Sequence, residues 1–345
     1  MSTIAVTKPV AFHLTKRSRL GFLGLGWIGR HRMKALLDAG VAEAAAIAEP
    51  RAECMAEAAA LAPDARQVPS LEALLEESLD GIVIATPSAD HAGQAMRALA
   101  RGIPVFCQKP LGRNHAEVKA VVDAARNADR LLGLDLSYRY TAAMERIRPI
   151  VAGGNIGQVH AADLVFHNAY GPDKPWFYDP ALSGGGCVID LGVHLVDLAL
   201  WTLGFPKVVD VQSHLFAQGD TLPPDPATAE DFAIATLTLE SGAVVRLACS
   251  WRLNAGKDAE ISAAFYGTEG GVALRNVNGS FYDFIAERFR GTACERLTSP
   301  PDDWGGRAAI DWAARLASGI GYDPQAEQFI DVARVLDRIY GRKQS

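Results

Sequence analysis

The run Leu20-Gly21-Phe22-Leu23-Gly24-Leu25-Gly26-Trp27-Ile28-Gly29 sets three glycines in a G-x-G-x-x-G spacing where an apolar stretch gives way to helical periodicity. That pattern suits a pyrophosphate. Gly24 permits a tight turn, Gly26 lets backbone approach without a Cβ in the way, and Gly29 lets the next helix pack close to the strand. The helix N-terminus, with its unpaired N–H groups and positive dipole end, then faces the anion, with Trp27 and Ile28 in the same turn. Glu49 follows twenty residues after Gly29, at the end of the next apolar run, where a carboxylate can accept both hydroxyls of an adenosine ribose. It would repel a 2′-phosphate, so NAD is expected ahead of NADP; Arg51, which could turn to such a phosphate, keeps NADP open. Alone, a glycine triplet in a chain with 32 glycines could be a plain strand-to-helix turn, and the placing of Glu49 is what argues for a dinucleotide.

Oxidising a carbinol needs a base for the hydroxyl proton, a cation or donor for the developing alkoxide, and a geometry that aims the carbon's hydride. Lys109 leaves the carboxyl end of an apolar run, where ligands of doubly wound folds bind. Asp190 and His194 stand four apart, so a helix over Asp190–Leu200 puts them on one face. The glycines just upstream, Gly184 to Gly186, show no packing purpose in sequence and read as close approach of backbone to ligand. Each residue also has a plain reading. Lys109 could be a solvated turn residue before proline, Asp190 and His194 a helix-surface pair, and Asp197 an equal partner for His194.

Three stretches carry a family resemblance. Cys107-Gln108-Lys109-Pro110, the segment Ala85-Thr86-Pro87-Ser88-Ala89-Asp90-His91, and Ser183 through His194 resemble, in order, the E-K-P, T-P-N-x-x-H and G-G-G-x-x-x-D-x-G-x-H motifs of the Gfo/Idh/MocA oxidoreductases. The resemblance covers about residues 19–340. It implies hydride exchange between a nicotinamide and a sugar, polyol or related carbinol, with Lys109, Asp190 and His194 as the catalytic set. In that scheme His194 takes the hydroxyl proton, Lys109 stabilises charge at the reacting oxygen, and Asp190 orients substrate or His194. The resemblance also implies that Thr86, Pro87, His91, Gln108 and Lys109 meet the cofactor. One departure matters: the family's Glu before the lysine is Gln108, an amide that can still bond a ribose hydroxyl but removes a charge beside Lys109. A glycosidase that uses bound NAD transiently, and a non-catalytic sensor of sugar and dinucleotide, are the alternatives on the same fold.

Tyr138, Arg139, His167, Trp176 and Tyr178 are candidates to line a polyol pocket beside Lys109, Asp190 and His194, because sugars offer hydroxyl rims and apolar faces to aromatics and bidentate donors. Each could equally be structural: Tyr138 and Trp176 as core-edge aromatics, His167 as a satisfied histidine at a strand end.

The elements that must position these residues are legible in outline. Up to about residue 136, short apolar runs alternate with helical periodicity, which predicts an α/β unit: a Rossmann domain over 18–140 with strands at Leu20–Leu23, Ala45–Glu49, Gln67–Val68, Gly81–Ala85, Val105–Cys107 and Leu131–Leu136. Beyond Tyr140, longer β-branched and aromatic runs with one strong helix among them predict an α+β domain over 141–322 with a large, mostly antiparallel sheet. Its strands are expected at Val159–Asn168, Val208–Phe216, Asp231–Glu240, Ala243–Trp251, Glu260–Tyr266 and Ser280–Ile285, with Glu240-Ser241-Gly242 as a hairpin turn. An apolar stripe in Asp323–Tyr340 predicts a helix that packs back on the first domain.

Composition excludes other classes. A net charge of −6 argues against tracking of nucleic-acid phosphates. Uninterrupted apolar runs are too short to predict a membrane span, and residues 1–17 read as a loose leader without a secretory signal's apolar stretch. Five scattered cysteines with no C-x-x-C predict neither a metal site nor a disulfide framework, hence a reducing, cytoplasmic setting. An open antiparallel sheet commonly mates with its own copy, so a homodimer or homotetramer is expected.

Overall fold

Buried strands between amphipathic helices build a parallel sheet from the first part of the chain: β1 (Ser18–Leu23), β2 (Ala42–Ala48), β3 (Arg66–Gln67), β4 (Gly81–Ile84), β5 (Val105–Cys107) and β6 (Leu132–Leu134). The computed structural model describes residues 17–342, so the expected leader lies, except for Arg17, outside the described residues. Strand order is β3-β2-β1-β4-β5-β6, every pairing parallel. The order reverses at β1, between β2 and β4, and the glycine turn leaves β1 there; a doubly wound sheet opens its ligand crevice at such a switch point.

Both faces of this sheet are covered, as a parallel sheet requires. On one face, Met33 and Leu36 of the helix Trp27–Asp38 share a core with Ala308, Ala309, Trp312 and Ala313 of the helix Arg307–Ala317. That second helix, which the sequence reading counts with the later unit, escapes notice because alanines make most of its buried stripe. Trp312 fits where two strands carry glycine: a Cβ on Gly81 would stand 2.8 Å from its ring, and one on Gly133 2.6 Å.

The second sheet has nine strands: β7 (Val159–Asn168), β8 (Val208–Ala217), β9 (Asp220–Thr221), β10 (Phe232–Leu239), β11 (Val244–Ser250), β12 (Ala259–Gly267), β13 (Gly271–Asn276), β14 (Phe284–Arg290) and β15 (Ala293–Arg296). Their order is β15-β14-β13-β12-β7-β11-β10-β8-β9, and all neighbours are antiparallel except the parallel pair β7–β11. The hairpin expected at Glu240-Ser241-Gly242 joins β10 to β11, with Gly242 at φ 84°. The strand expected at Ser280–Ile285 begins instead at Phe284, because the Ser280 hydroxyl accepts from the N–H groups of Tyr282 and Asp283 and folds that stretch into a turn. Strands β9, β13 and β15 and the helix Ala142–Ala152 add to the elements expected from the sequence.

One face of this sheet packs on helices through Leu164, Phe166, Leu237, Leu247 and Phe265; the other carries no covering element among the described residues. The helix Glu327–Ile339 serves both domains. Ile330 and Ala333 enter the first domain's core beside the helix His115–Ala128, while Val332, Val335, Leu336 and Ile339 enter the second. Besides the first domain, on which its apolar stripe is expected to pack, the helix thus packs on the second as well. The helical run Pro180–Thr202 is apolar enough by length and composition to cross a bilayer, yet most of it is buried inside the protein.

Candidate functional site

A cleft of about 1120 Å³ runs from the glycine turn to the junction of the two domains. Its first half is built as the sequence leads one to expect. Gly24 has φ 80°, and a Cβ there would stand 2.7 Å from the backbone of Ala85 and Thr86. At Gly29 a Cβ would lie 2.1 Å from the Gly24 carbonyl oxygen, so this glycine lets the turn close on the helix itself. The helix starts at Trp27 with Gly26 as its cap, no side-chain cap and no acid in the first turn, which leaves its N–H groups to an anion.

Glu49 is buried beside the turn. Its Oε2 accepts from the Leu25 N–H at 2.7 Å, and its Oε1 accepts from the Arg51 backbone N–H at 3.1 Å and Arg51 Nε at 2.9 Å. Burial works against its charge, but the hydrogen bonds from Arg51 and Leu25 outweigh that and hold the carboxyl below its usual value. Glu49 thus props the glycine turn as well as facing the cleft, and Arg51 is held by Glu49. Thr86, Pro87, Trp27 and Ile28 line the same half. His91 also borders it, but both ring nitrogens are engaged, Nδ1 with the Pro110 carbonyl at 2.6 Å and Nε2 with the Thr86 carbonyl at 2.7 Å. It brackets two loops together and has no free nitrogen for a cofactor.

At the inner end, Lys109 Nζ donates to the Asp190 backbone carbonyl and to Asp190 Oδ1, both at 2.7 Å. Trp251 Nε1, which sequence gave no reason to choose, donates to Asp190 Oδ2 at 3.1 Å. His194 faces the same space, its ring 4.8 Å from that of Tyr138. Burial, then the nearby Lys109 and Arg32 charges, push the His194 imidazole well below 6.5, so it is neutral at physiological pH. The expected helix over Asp190–Leu200 is broken into a π-helical turn, Val188–Gly192, and an α-helix, Val193–Thr202, and both residues still reach the cleft.

The π turn is held from outside the cleft. Glu230, fully buried, accepts from the Gly186 N–H at 2.9 Å, the Val188 N–H at 2.8 Å and the Tyr340 hydroxyl at 2.8 Å, while the Tyr340 oxygen accepts from the Ile189 N–H at 3.2 Å. Burial raises the Glu230 pKa, and those donors only partly oppose it. This explains the glycine run. A Cβ on Gly185 would stand 2.0 Å from the Tyr340 oxygen, and one on Gly186 1.9 Å from the Glu230 carbonyl oxygen. These glycines admit packing partners, where the sequence reading expected a ligand. Glu230 and Tyr340 lie far off in sequence, so only the helical stripe ending at Tyr340 could have hinted at them.

The polyol-pocket candidates separate. Trp176 lines the cleft, stacked on Phe177 with ring centroids 3.8 Å apart. Tyr138 is buried behind His194, against Trp304 and Phe166. Arg139 turns away: its Nε donates to Asp197 Oδ2 at 2.9 Å and its Nη2 to Asp197 Oδ1 at 2.5 Å, which also removes Asp197 as a partner for His194. His167 is on the wrong face of β7. It bonds Ser250 Oγ at 2.7 Å and stacks on Phe232 on the uncovered side, while Phe166, one residue earlier, faces His194, because side chains alternate along a strand. Tyr178 packs on Trp251 and donates to the Pro172 carbonyl at 2.9 Å, outside the cleft. Gln108 is not turned to a ribose either; it is tied to Asp135 and to the Lys109 backbone.

Residues 18–136 match the oxidoreductase family with an NAD-binding Rossmann fold, and residues 144–273 match the GFO/IDH/MocA C-terminal domain. Among curated proteins, D-glucoside 3-dehydrogenase of Escherichia coli is 28% identical over 58% of this chain and 60% of its own length. The 1,5-anhydro-D-fructose reductase of Ensifer adhaerens is 28% identical over 75% of this chain and 76% of its own. Among solved structures, levoglucosan dehydrogenase in complex with NADH and levoglucosan superposes with a TM-score of 0.79 at 20% identity, covering 94% of this chain and 96% of that one, which is a likeness of fold.

Proposed function

Because this chain belongs to the Gfo/Idh/MocA family of NAD-binding oxidoreductases, we propose that it transfers a hydride between NAD and a carbinol of a sugar, polyol or sugar derivative. The observation that carries this reading is the convergence of Lys109, Asp190 and a neutral His194 at the inner end of the cleft that begins at the glycine turn. The cleft fits a dinucleotide: an uncapped helix N-terminus, Gly26 free of a Cβ beside Arg51, and a buried carboxylate at Glu49. NAD, when bound, supplies the hydride acceptor. His194 takes the substrate's hydroxyl proton, Lys109 stabilises the negative charge that builds on that oxygen, and Asp190 with Trp251 holds the lysine in place. The stacked Trp176 and Phe177 give an apolar wall for a sugar face. Glu49 supports NAD over NADP.

The division of labour follows the two sheets, with residues 18–140 holding the cofactor and 141–322 most of the substrate, although Arg307–Ala317 packs on the first sheet. The uncovered face of the nine-stranded sheet, where Ile234 is 44% exposed, supports pairing with a second copy. Five free cysteines, with the Cys249 thiol donating to Cys187 Sγ at 3.8 Å and no disulfide between them, support a cytoplasmic setting.

The test is a screen of sugars, polyols and sugar acids with NAD, read by NADH formation, on the wild type, Lys109→Ala and His194→Ala. Both variants should bind NAD normally and lose about 10²–10⁴-fold in turnover. Sugar hydrolysis without free NADH would point to the glycosidase, and tight binding of both ligands without turnover would point to the sensor.

A further inference from the structure

Behind Lys109 lies a charged pair that the proposed chemistry does not use. Asp135, directly after β6, is completely buried, and its Oδ2 accepts from Arg32 Nε at 2.5 Å and from Gln108 Nε2 at 2.8 Å. Arg32 comes from the helix that follows the glycine turn, is also buried, and borders the cleft. Gln108 completes the link: its Oε1 accepts from the Lys109 backbone N–H at 2.8 Å. One amide therefore spans from a buried carboxylate to the peptide from which the lysine side chain departs.

We propose that Arg32, Asp135 and Gln108 form a charge-matched clamp that positions Lys109, in which residue 108 must be neutral because Asp135 already supplies the negative charge. This rests on the reading of Lys109 given above. Two balanced pairs, Arg32 with Asp135 and Lys109 with Asp190, are joined through an uncharged side chain that donates at one end and accepts at the other. A glutamate at 108 has no N–H for Asp135. It would set a second carboxylate at hydrogen-bonding distance from the fully buried Asp135, and such a pair keeps one proton to a higher pH than either would alone. The charged and titratable groups beside Asp135 are Arg32 and His31 from the helix and Cys107 from β5; the cation that touches it, Arg32, is already paired with it, and the Lys109 ammonium is taken up by Asp190. Arg32 also lies close enough to His194 to depress its pKa, so the clamp reaches the base as well as the lysine.

The experiment compares Gln108→Glu, Asp135→Asn and the double exchange in the full chain. Three readouts are taken: melting temperature across pH, amide exchange over residues 106–112, and kcat and KM for a substrate from the screen. Gln108→Glu should melt lower than wild type at about pH 8 and recover toward about pH 5, since the raised carboxyl pKa makes stability fall as pH rises through it. Its amide exchange near Lys109 should quicken, and kcat should fall roughly 10–100-fold with KM little changed, as expected for a misplaced group. Asp135→Asn should impair all three as well, because Arg32 loses its counter-charge. The double exchange moves the charge to 108 and the amide to 135, and should recover most of each loss. A Gln108→Glu protein that matches wild type at every pH, or a double variant no better than the worse single one, would overturn the clamp. Melting and amide exchange need no substrate, so the clamp is decided even if no carbinol is oxidised and the dehydrogenase reading falls.

Discussion

Tyr340→Phe removes one oxygen and leaves the ring, so its effect can be worked from two hydrogen bonds. The Tyr340 hydroxyl donates to Glu230 and accepts from Ile189 N–H, and all of these groups are buried. Losing the acceptor leaves a buried N–H unsatisfied, which costs about 1–3 kcal/mol, and losing a donor to an ionised carboxylate costs about 1.5–3 kcal/mol. The variant should therefore be less stable by roughly 2.5–6 kcal/mol at neutral pH, read as a shift in urea midpoint at constant slope. The loss should also depend on pH. Burial has raised the Glu230 pKa in the folded protein, so ionising it already opposes folding as pH rises through that value, and removing a donor deepens the penalty only where the carboxyl is ionised. The deficit should shrink in acid. Because Ile189 adjoins Asp190, turnover should fall while NAD affinity holds. A midpoint shift worth under about 0.5 kcal/mol, within what a neutral surface change gives, would refute the argument that this hydroxyl holds the π turn.

Glu49→Ala should narrow the preference for NAD over NADP, measured by titration with each cofactor; equal affinities in the wild type would remove the premise. Arg139→Met should destabilise by about 3–5 kcal/mol, because it strands Asp197 as an unpaired buried acid, and should leave KM unchanged. A large rise in KM at full stability would return Arg139 to the substrate pocket. For His194, whose folded pKa lies below 6.5, the neutral form is the one the fold prefers; both rate and His194-linked stability should hold at neutral pH and fall as pH drops below 6.5 through the folded value. Rate and melting profiles for wild type and His194→Asn check this, and an acid limb at or above 6.5 in the wild type would contradict it.

What the sequence discloses and what it hides divide by range. The glycine turn and β1 to β6 are local patterns, and they stand within a few residues of where the periodicity puts them. Lys109, Asp190 and His194 meet because the motifs carrying them are specific. The misses are of three physical kinds. His167 fails by one residue of strand parity, which sequence can set only if the buried face is known. The chemistry of Arg139 suits a sugar's hydroxyls, but a partner 58 residues away already holds it. Trp251, Glu230, Asp135 and Tyr340 matter through contacts whose sequence separations run from 27 to 151 residues, and no local pattern marks such contacts.

The slot that Gly81 and Gly133 open for Trp312 bears on how the chain is made. Growing from its N-terminus, the polypeptide completes all six parallel strands long before the helix Arg307–Ala317 exists, so one sheet face emerges from the ribosome only partly covered, by the helix Trp27–Asp38, with a glycine-notched apolar strip left open. A half-built dinucleotide domain of this kind is a sticky intermediate, exposed for as long as the whole second domain takes to be synthesised. Termination of synthesis between the end of β6 and Trp312 would release a fragment holding every residue proposed for the cofactor and lacking the part that shields it. Such fragments are expected to aggregate or to be cleared by proteases, and isolating the first domain for study would require grafting that late helix back onto it.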